Sequence, residues 1–518
     1  MRCKSQIMYC LEYQKVVIAM SAAGRESGVD VPTKVTARYV LGHHNGRHVL
    51  LEDACVVYSG HTIEYVGHDY AGPVDGEHRL GEALLMPGLI DLDALTDIDH
   101  LILDSWAGPE QAKGHQWSED YFRNHRANVF TDDERQQIRE YALIQLVLHG
   151  ITTYMPIASE VHSEWAEPFQ ELVGMAETSR RLGLRGYLGP AYRSGVNVVL
   201  EDGERSVMFD PDRGRDGLAD ALRFIDYAKD LDDPLVNGVL LPCRIETLDL
   251  ELLKATAVAS AERDVLVRLH SLQGLVERQL ILDWHGLTPL ELLDQVGLLN
   301  ERLLIPHATY TDRNPVVHGE DRGDLARLAG SGASIIHCPL TSMRYGSTLD
   351  SFAAYKEAGI NISLGTDSFP PDLIRGIDAG VQLGKILAGR NDAGDVAGYF
   401  DAATVGGARA LRRPDLGRLE PGAQADLVAF SLGDIRDGVH EDPLRTLLLN
   451  GTARQAVLSV VAGRTVMADG VIEGVDLEFW RAKGQELFHK MRRAYSERDV
   501  RNRPADELFP PVYARLER

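Results

Sequence analysis

Three features that mark common protein classes are missing from this 518-residue sequence. It has no apolar run near the roughly 18–20 residues that a membrane span needs, and its five cysteines form no close pair. It also lacks an excess of basic residues, because 54 Lys and Arg face 77 Asp and Glu, for a net charge of −23. Such a surface repels phosphate backbones and anionic lipids. We therefore expect a cytoplasmic protein without nucleic-acid or membrane partners.

The composition is that of a globular protein. Hydrophobic residues make up 44% of the chain and charged residues 25%, enough to bury a large core. Short β-branched and aromatic runs in residues 34–67 are separated by Asn45-Gly46 and Ser59-Gly60, a pattern typical of hairpins. Similar runs return in residues 425–432 and 455–472. Both ends of the chain are therefore predicted to build one small β domain.

The middle of the chain alternates short apolar runs with amphipathic stretches of helix length, as βα units around a parallel sheet do. A doubly wound sheet would alternate in the same way, but no phosphate-binding glycine fingerprint follows the first strand. We therefore predict the α/β fold class, with a (β/α)8 TIM-type barrel and a small composite β-sandwich domain formed from the N- and C-terminal segments. The predicted barrel strands are 84–93, 150–156, 185–190, 236–242, 265–270, 303–307, 333–339 and 361–367.

The change in pattern along the chain predicts five segments. Residues 1–30 have no continuous apolar stretch followed by a cleavage site, so we expect no signal peptide there. Residues 476–518 begin with a stretch of helical character, which could be an arm on a partner subunit or a packed extension. The segments are an N-terminal extension (1–30), the first part of the β-sandwich (31–84), the catalytic barrel (85–412), the second part of the β-sandwich (413–475) and a C-terminal helical extension (476–518).

Polar residues follow several predicted barrel strands, and in barrels of this type the chemistry lies at the carboxyl ends of the strands. Asp91 and Asp93 have the i, i+2 spacing that points both side chains to one face of a strand. Carboxylates and imidazoles that meet in one barrel mouth suit a divalent-metal site or an acid–base pair. These residues are Asp91 and Asp93 after the first strand, His270 after the fifth, His307 after the sixth, His337 after the seventh and Asp367 after the eighth.

The chain also resembles the amidohydrolase superfamily, in its branch of aminohydrolases, deaminases and triazine chlorohydrolases. The resemblance implies a barrel with a composite β-sandwich, and a hydrolase of carbon–nitrogen bonds other than peptide bonds. The segments that carry it follow the family order over most of the chain: MPGLID (86–91), HGITT (149–153), HCPLTSMRYGS (337–347), AGINISLGTDS (358–368) and GRLEPGAQADLVAF (417–430).

The resemblance also implies roles for single residues. His270 corresponds to the fifth-strand metal ligand, and Asp367 to the aspartate that binds metal and takes a proton from the attacking water. His307 corresponds to the histidine that polarises the substrate and stabilises the intermediate. The family's first-strand His-x-His pair is replaced here by Asp91-Leu92-Asp93, and its proton-shuttling glutamate by Gln273, which cannot titrate.

These departures leave two kinds of site open. The resemblance implies one divalent ion (Zn, Fe or Mn) held by Asp91, Asp93, His270 and Asp367, with Asp367, His307 and Gln273 in catalysis. Three aspartates would make that shell anionic, so its bound water would be less acidic and harder ions such as Mn or Mg favoured. In a metal-free site, close carboxylates could not all ionise and one would serve as a general acid.

The substrate is predicted to be a small molecule, nitrogen-rich or cationic, because a carboxylate-rich pocket attracts positive charge. Water would be activated by Asp367, with His307 stabilising the intermediate. The alternative is a metal-free or non-hydrolytic barrel that acts as a lyase, an isomerase or a binding protein. The resemblance also implies a homo-oligomer. Residues predicted to contact the substrate are Arg193, Trp106, Tyr310 and His337.

Overall fold

The eight predicted barrel strands are all present in the computed structural model, and each pairs in parallel with at least one neighbour. We number them in chain order as barrel strands one to eight. They are Leu89–Leu95, Ile151–Ile157, Arg185–Leu188, Val236–Gly238, Val267–Arg268, Leu303–Pro306, Ser334–His337 and Asn361–Leu364. The structure describes residues 32–98, 108–113, 116–125, 128–157, 165–514 and 516.

Barrel strands one to four form one sheet and strands five to eight another, and backbone contacts join the two sheets at both seams. Leu240, just after strand four, bridges to Val267 of strand five. The backbone N–H of Asp367, after strand eight, donates to the carbonyl oxygen of Asp93 in strand one at 2.8 Å. The predicted fold class is confirmed, and polar residues at strand ends are brought to one end of the barrel.

The strands read as continuous apolar runs because helices cover the outside of the barrel while side chains fill its inside. All seven residues of Leu89–Leu95 are buried, including two aspartates. The helices that follow the strands are Asp132–Leu148, Phe169–Leu182, Pro211–Leu231, Leu250–Arg263, Leu275–His285, Pro289–Gln295, Asp324–Ser331, Pro339–Arg344, Phe352–Glu357 and Leu373–Ala388.

Residues from both ends of the described chain share one eight-stranded sheet, as the hairpin patterns predict. Asn45 and Gly46 connect its first two strands with left-handed φ values of 51° and 77°, which a two-residue hairpin turn requires. The limits of the five predicted segments stay predictions. The strands of this sheet are Thr33–His44, Arg47–Ser59, Thr62–Gly67, Gly76–Arg79, Ala83–Pro87, Leu427–Ser431, Ala456–Val461 and Arg464–Ala468.

The predicted C-terminal helix spans Leu477–Arg498 and packs against its own chain. It begins at Asp476, whose side chain accepts hydrogen bonds from two N–H groups of the first turn. Leu487 and Met491 lie in a buried cluster with Ile138 of a barrel helix. The choice between an arm on a partner subunit and a packed extension stays a prediction.

Shorter elements complete the described chain. No helix within it is long and apolar enough to cross a membrane. The other strands are Trp117–Ser118, Ala191–Tyr192, Gly195–Val199, Arg205–Phe209 and Leu241–Pro242, and the other α-helices are Pro109–Ala112, Val396–Asp401, Gly407–Ala410, Pro443–Arg445 and Ala505–Leu508. Single turns of other helix types are Tyr121–His125, Ile245–Thr247, Pro315–Val317, Ala402–Gly406, Ile435–Asp437 and Thr446–Asn450.

Candidate active site

The backbone turns sharply where barrel strands six and eight end. His307 has a φ of 70° and Asp367 a φ of 39°, left-handed values that side chains beyond Cα make unfavourable. Backbone hydrogen bonds of 2.8 Å hold both residues, from the His307 N–H to Ile336 and from the Asp367 N–H to Asp93. Strained residues of this kind concentrate at functional sites, where the surrounding fold maintains them.

Three buried side chains from different strands meet at this end of the barrel. Asp93, His270 and His307 each offer one ligand atom, and these atoms lie within 4.8 Å of one another. His270 Nε2 is 3.4 Å from Asp93 Oδ2, and the two imidazole centroids are 5.4 Å apart. The sequence predicted that all three face one chamber, and the structure brings them together.

Both imidazoles turn a ring nitrogen towards the cluster. His270 Nδ1 lies 3.1 Å from the carbonyl oxygen of Cys243, so it donates there and Nε2 faces the cluster. Within the described residues, Nε2 of His270 and Nε2 of His307 have no hydrogen-bond partner. Burial, together with the nearby His270, lowers the pKa of His307 well below its ordinary value. His307 is therefore neutral at physiological pH and can act as an electron-pair donor.

Asp367 adjoins this cluster. Its Oδ2 lies 3.6 Å from His307 Nε2, and its side chain is almost fully buried. Because His307 is neutral, this contact does not neutralise the Asp367 carboxylate. The position suits a base that takes a proton from a water molecule beside the imidazoles.

Asp91 belongs to a different set of contacts. Its carboxylate accepts from the N–H of Thr366 at 3.0 Å, from the Thr366 hydroxyl at 2.6 Å and from the N–H of Asp93 at 3.2 Å. Burial raises the pKa of Asp91 to about 7, against the lowering effect of these hydrogen bonds. The structure thus places Asp91 as a tie between barrel strands one and eight, and brings only Asp93 of the predicted pair to the histidines.

Arg268, a residue that the sequence did not single out, lies inside the same cluster. It is 3% exposed, and its Nη1 is 3.2 Å from Asp93 Oδ1 and 3.3 Å from the carbonyl oxygen of Met155. The charges of His270 and Arg268 hold the pKa of Asp93 far below its ordinary value, although burial alone would raise it. Asp93 is therefore ionised.

Gln273 is held by neighbours on two sides. Its side-chain oxygen accepts from Arg244, and its N–H donates to Glu277 at 2.9 Å. Burial, with the nearby Glu246, raises the pKa of Glu277 to about 8. Glu277 also accepts from the N–H of Leu272 at 2.6 Å, so it fixes the turn after His270. This glutamate was not anticipated.

The predicted substrate contacts have mixed placements. Arg193 is buried, and its Nε donates to the carbonyl oxygen of Trp165 at 2.6 Å. Tyr310 is half-buried and donates its N–H to Leu272 at 2.9 Å, which places its backbone beside the turn after His270. Trp106 lies outside the described residues. Substrate contact by these three residues stays a prediction.

His337 is buried beside two aromatic rings, with centroids 6.4 Å from Phe352 and 5.9 Å from Tyr399. Its Nδ1 has no hydrogen-bond partner in the described part of the chain. Burial lowers the pKa of His337 to about 4. The side chain therefore stays uncharged at neutral pH, and its predicted contact with substrate remains a prediction.

This burial predicts an acid-sensitive fold. The pKa of His337 falls from its ordinary value of 6.5 to about 4, so between these pH values only the unfolded chain takes up the proton. The contribution of His337 to the free energy of unfolding should fall by about 3 kcal/mol as pH falls from 6.5 to 4, and no further below that. His337→Gln should flatten this slope in unfolding measurements across that range. His125→Gln, which removes an exposed imidazole, should not; equal slopes in His337→Gln and the unsubstituted protein would contradict the assignment.

The cluster fits a divalent cation. Two imidazoles present Nε2 atoms without hydrogen-bond partners among the described residues, and Asp93 adds an ionised carboxylate, which together are common ligands of zinc and other transition metals. The hydrogen bond from His270 Nδ1 to a backbone carbonyl is the usual support of a ligand imidazole. Asp93, His270 and His307 are therefore the residues that could hold the ion.

Comparison with protein families decides the relationship. The profile described as "Amidohydrolase family" matches residues 84–475. The chain belongs to this family. The match covers the barrel and the last four strands of the composite sheet, so the resemblance inferred from sequence motifs is confirmed.

Curated relatives of this amidohydrolase are deaminases by name. It is 28% identical over 394 residues to a 5-methylthioadenosine/S-adenosylhomocysteine deaminase of Halobacterium salinarum, a match that covers 74% of this chain and 82% of the relative. It is 27% identical over 432 residues to an 8-oxoguanine deaminase of Pseudomonas aeruginosa, covering 82% and 91% of the two chains.

Solved structures support the fold of the amidohydrolase. An adenosine deaminase from Xanthomonas campestris with bound zinc gives a TM-score of 0.70 at 22% identity, covering 89% of this chain and 98% of that one. A mutant atrazine chlorohydrolase from Arthrobacter aurescens, complexed with zinc and atraton, gives 0.72 at 21%, covering 88% and 100%.

These findings confirm the predicted enzyme class. The amidohydrolase is a hydrolase of carbon–nitrogen bonds other than peptide bonds, acting on a small molecule. The proteins named above are deaminases and a chlorohydrolase, so they give no support to the non-hydrolytic alternative.

Proposed function

We propose that this amidohydrolase removes an amino group hydrolytically from a neutral, nitrogen-rich ring, at the site formed by Asp93, His270, His307 and Asp367. The observation that supports this most directly is the convergence of three ligand atoms within 4.8 Å, with Asp367 Oδ2 3.6 Å from His307. A binding scaffold has no need for a buried base next to a set of metal donors.

Asp93, His270 and His307 would hold one divalent ion, which would lower the pKa of bound water and polarise the substrate. This assignment departs from the resemblance in three respects. Asp367 is assigned the role of the base and is not counted among the ligands. Asp91 is left out because its carboxylate is engaged by Thr366 and Asp93. His307 is placed among the ligands, because its Nε2 is turned towards Asp93 and His270.

Asp367 carries the proton transfers. It accepts a proton from the attacking water, whose oxygen then bonds to the ring carbon that bears the amino group. Asp367 returns that proton to the amino nitrogen as the carbon–nitrogen bond breaks, and ammonia leaves. Gln273 takes no part in these transfers because an amide does not titrate; its side chain is bound to Arg244 beside the site.

Charge around the site favours a neutral substrate over the cationic one that the sequence suggested. Asp91 is turned away in hydrogen bonds, and the buried guanidinium of Arg268 offsets Asp93. Asp93 and two imidazoles bound as neutral ligands would leave a divalent ion with one unit of positive charge. The opposite charges of Asp367 and Arg268 would offset one another, so the site would repel a cation. The names of the relatives, which act on adenine derivatives and 8-oxoguanine, support an aminopurine-like ring.

The proposal is tested by ammonia release from purified protein. We expect turnover of at least one ring among adenine nucleosides, 8-oxoguanine and amino-substituted triazines, and none of the matched ring without its exocyclic amino group. Removal of metal by a chelator should lower turnover at least a hundredfold, and added Zn, Mn or Fe should restore it. Full activity of protein shown to be metal-free would contradict the metal-dependent site.

Cytoplasmic location, homo-oligomeric assembly and the absence of nucleic-acid and membrane partners stay predictions. Light scattering of the purified protein measures its molar mass in solution and so tests the predicted homo-oligomer.

A further inference from the structure

Arg268 divides the two oxygens of Asp93 between different partners. Its Nη1 lies 3.2 Å from Oδ1, whereas Oδ2 lies 3.4 Å from His270 Nε2 on the side of the histidines. Arg268 and His270 are two residues apart on one extended segment, so both side chains point to the inside of the barrel. The guanidinium therefore reaches the carboxylate from within the barrel core.

The guanidinium is a permanent charge beside the donor set. Arg268 is 3% exposed, and Asp93 is fully buried. A buried charge is costly unless an opposite charge and hydrogen bonds compensate it. Asp93 and the carbonyl of Met155 compensate Arg268, and Arg268 in turn compensates Asp93 when no ion is bound.

A second buried pair shows what is particular about this contact. Arg185 and Asp426 are also buried, but there two guanidinium nitrogens meet both carboxylate oxygens, at 3.1 Å each. Asp426 Oδ1 also accepts from the N–H of Ala462 at 2.7 Å, so both oxygens of that carboxylate are engaged by fixed donors. The single contact of Arg268 with Oδ1 leaves Oδ2 of Asp93 on the side of His270.

We propose that Arg268 is a built-in counter-cation that limits Asp93 to one ligand oxygen and weakens the hold of the site on its divalent ion. The proposal rests on the ligand set of the proposed function. Without the ion, the Arg268–Asp93 pair keeps the carboxylate in place. With the ion, the guanidinium repels it, so the ion exchanges with solvent more readily than in a site without this arginine.

Zinc binding to metal-free protein, measured by calorimetry, tests this directly. Arg268→Met removes the charge and keeps much of the stem, Arg268→Gln is a second neutral variant, and Arg268→Lys keeps the charge. We expect each neutral variant to bind zinc about tenfold to a hundredfold more tightly than the unsubstituted protein does. The rise in unfolding temperature that zinc causes should also be larger in each neutral variant than in the unsubstituted protein. Arg268→Lys should stay close to the unsubstituted protein. Arg185→Met is the matched control. It should unfold at a lower temperature than the unsubstituted protein and bind zinc with the same affinity.

Unchanged or weaker zinc affinity in a folded neutral variant would overturn the role of Arg268 and leave the proposed function standing. Zinc binding by a neutral variant but not by the unsubstituted protein would support the role of Arg268 and contradict metal-dependent hydrolysis. Binding by neither would overturn the ligand set and this inference together.

Zinc-soaked crystals of the unsubstituted protein provide a test that needs no variant to fold. We expect Asp93 to bind zinc through Oδ2 alone, with Arg268 still on Oδ1. Coordination by both oxygens, or a guanidinium displaced from Asp93, would overturn the proposal.

Discussion

Replacement of Asp367 by Asn is expected to lower the rate of hydrolysis by about 10²- to 10⁴-fold, the usual contribution of a positioned acid–base group. The amide keeps the size of the side chain but can neither take a proton from water nor return it to the leaving nitrogen. Because the amide has nearly the shape of the carboxylate and Asp367 lies 3.6 Å from neutral His307, the substitution leaves the packing of the side chain intact. The rate constant for ammonia release measures the effect.

The matched control for this variant is Asp392→Asn, at an exposed aspartate paired with Arg390 on the surface. It makes the same chemical change away from the site, so its turnover and its unfolding temperature should equal those of the unsubstituted protein. A folded Asp367→Asn protein that retains more than a tenth of the activity would contradict the role of Asp367 as the base.

Replacement of Asp93 by Ala is expected to lower the free energy of unfolding by about 3–5 kcal/mol, the usual cost of leaving a buried charge without its partner. Besides Asp93, the described contact of the Arg268 guanidinium is the Met155 carbonyl, so the variant would leave a buried positive charge without an anionic partner. Zinc affinity should fall as well, because the only carboxylate of the donor cluster is gone. Urea unfolding and calorimetry measure the two losses.

Two companion variants separate these causes. Asp93→Ala combined with Arg268→Met should recover part of the lost stability, because no unpaired charge remains, but it should not recover zinc binding. Asp91→Asn should lose stability through its contacts with Thr366 yet retain zinc affinity. Zinc affinity lost equally in the Asp91 and Asp93 variants would contradict the separation of the two aspartates.

The sequence predicted the fold closely because its signals are local. Every predicted barrel strand is a short run whose residues are mostly buried in the structure, and Asn45-Gly46 forms the hairpin turn that its residue types favour. The predicted C-terminal helix is present and begins after Asp476. The same logic singled out His270, His307 and Asp367, because each lies within three residues of the end of a strand.

The division of labour between Asp91 and Asp93 could not be predicted from the sequence. Both point to the inside of the barrel, and alternation along a strand does not say which of them is level with the histidines. The level of each aspartate depends on the stagger between strands one and eight. There the Thr366 hydroxyl donates to the Asp91 carboxylate, and the Asp93 carbonyl accepts from the N–H of Asp367. These contacts join residues more than 250 positions apart in the chain.

Arg268 could have been found from the sequence, since a charged residue in the apolar run VLVRLH has the same inward parity as His270 and needs a buried partner. Glu277 could not, because its capping of the turn at Leu272 and Gln273 depends on how the next helix packs. Arg268 compensates the charge of Asp93, and Glu277 fixes the backbone after His270. Neither role is marked by a sequence motif.

Anomalous scattering from zinc-soaked crystals shows whether Asp93, His270 and His307 hold one divalent ion. We expect a single strong peak in the barrel mouth, within bonding distance of Asp93 Oδ2 and the Nε2 atoms of His270 and His307. No peak among these three residues at saturating zinc, or an ion bound instead by Asp91, would contradict it.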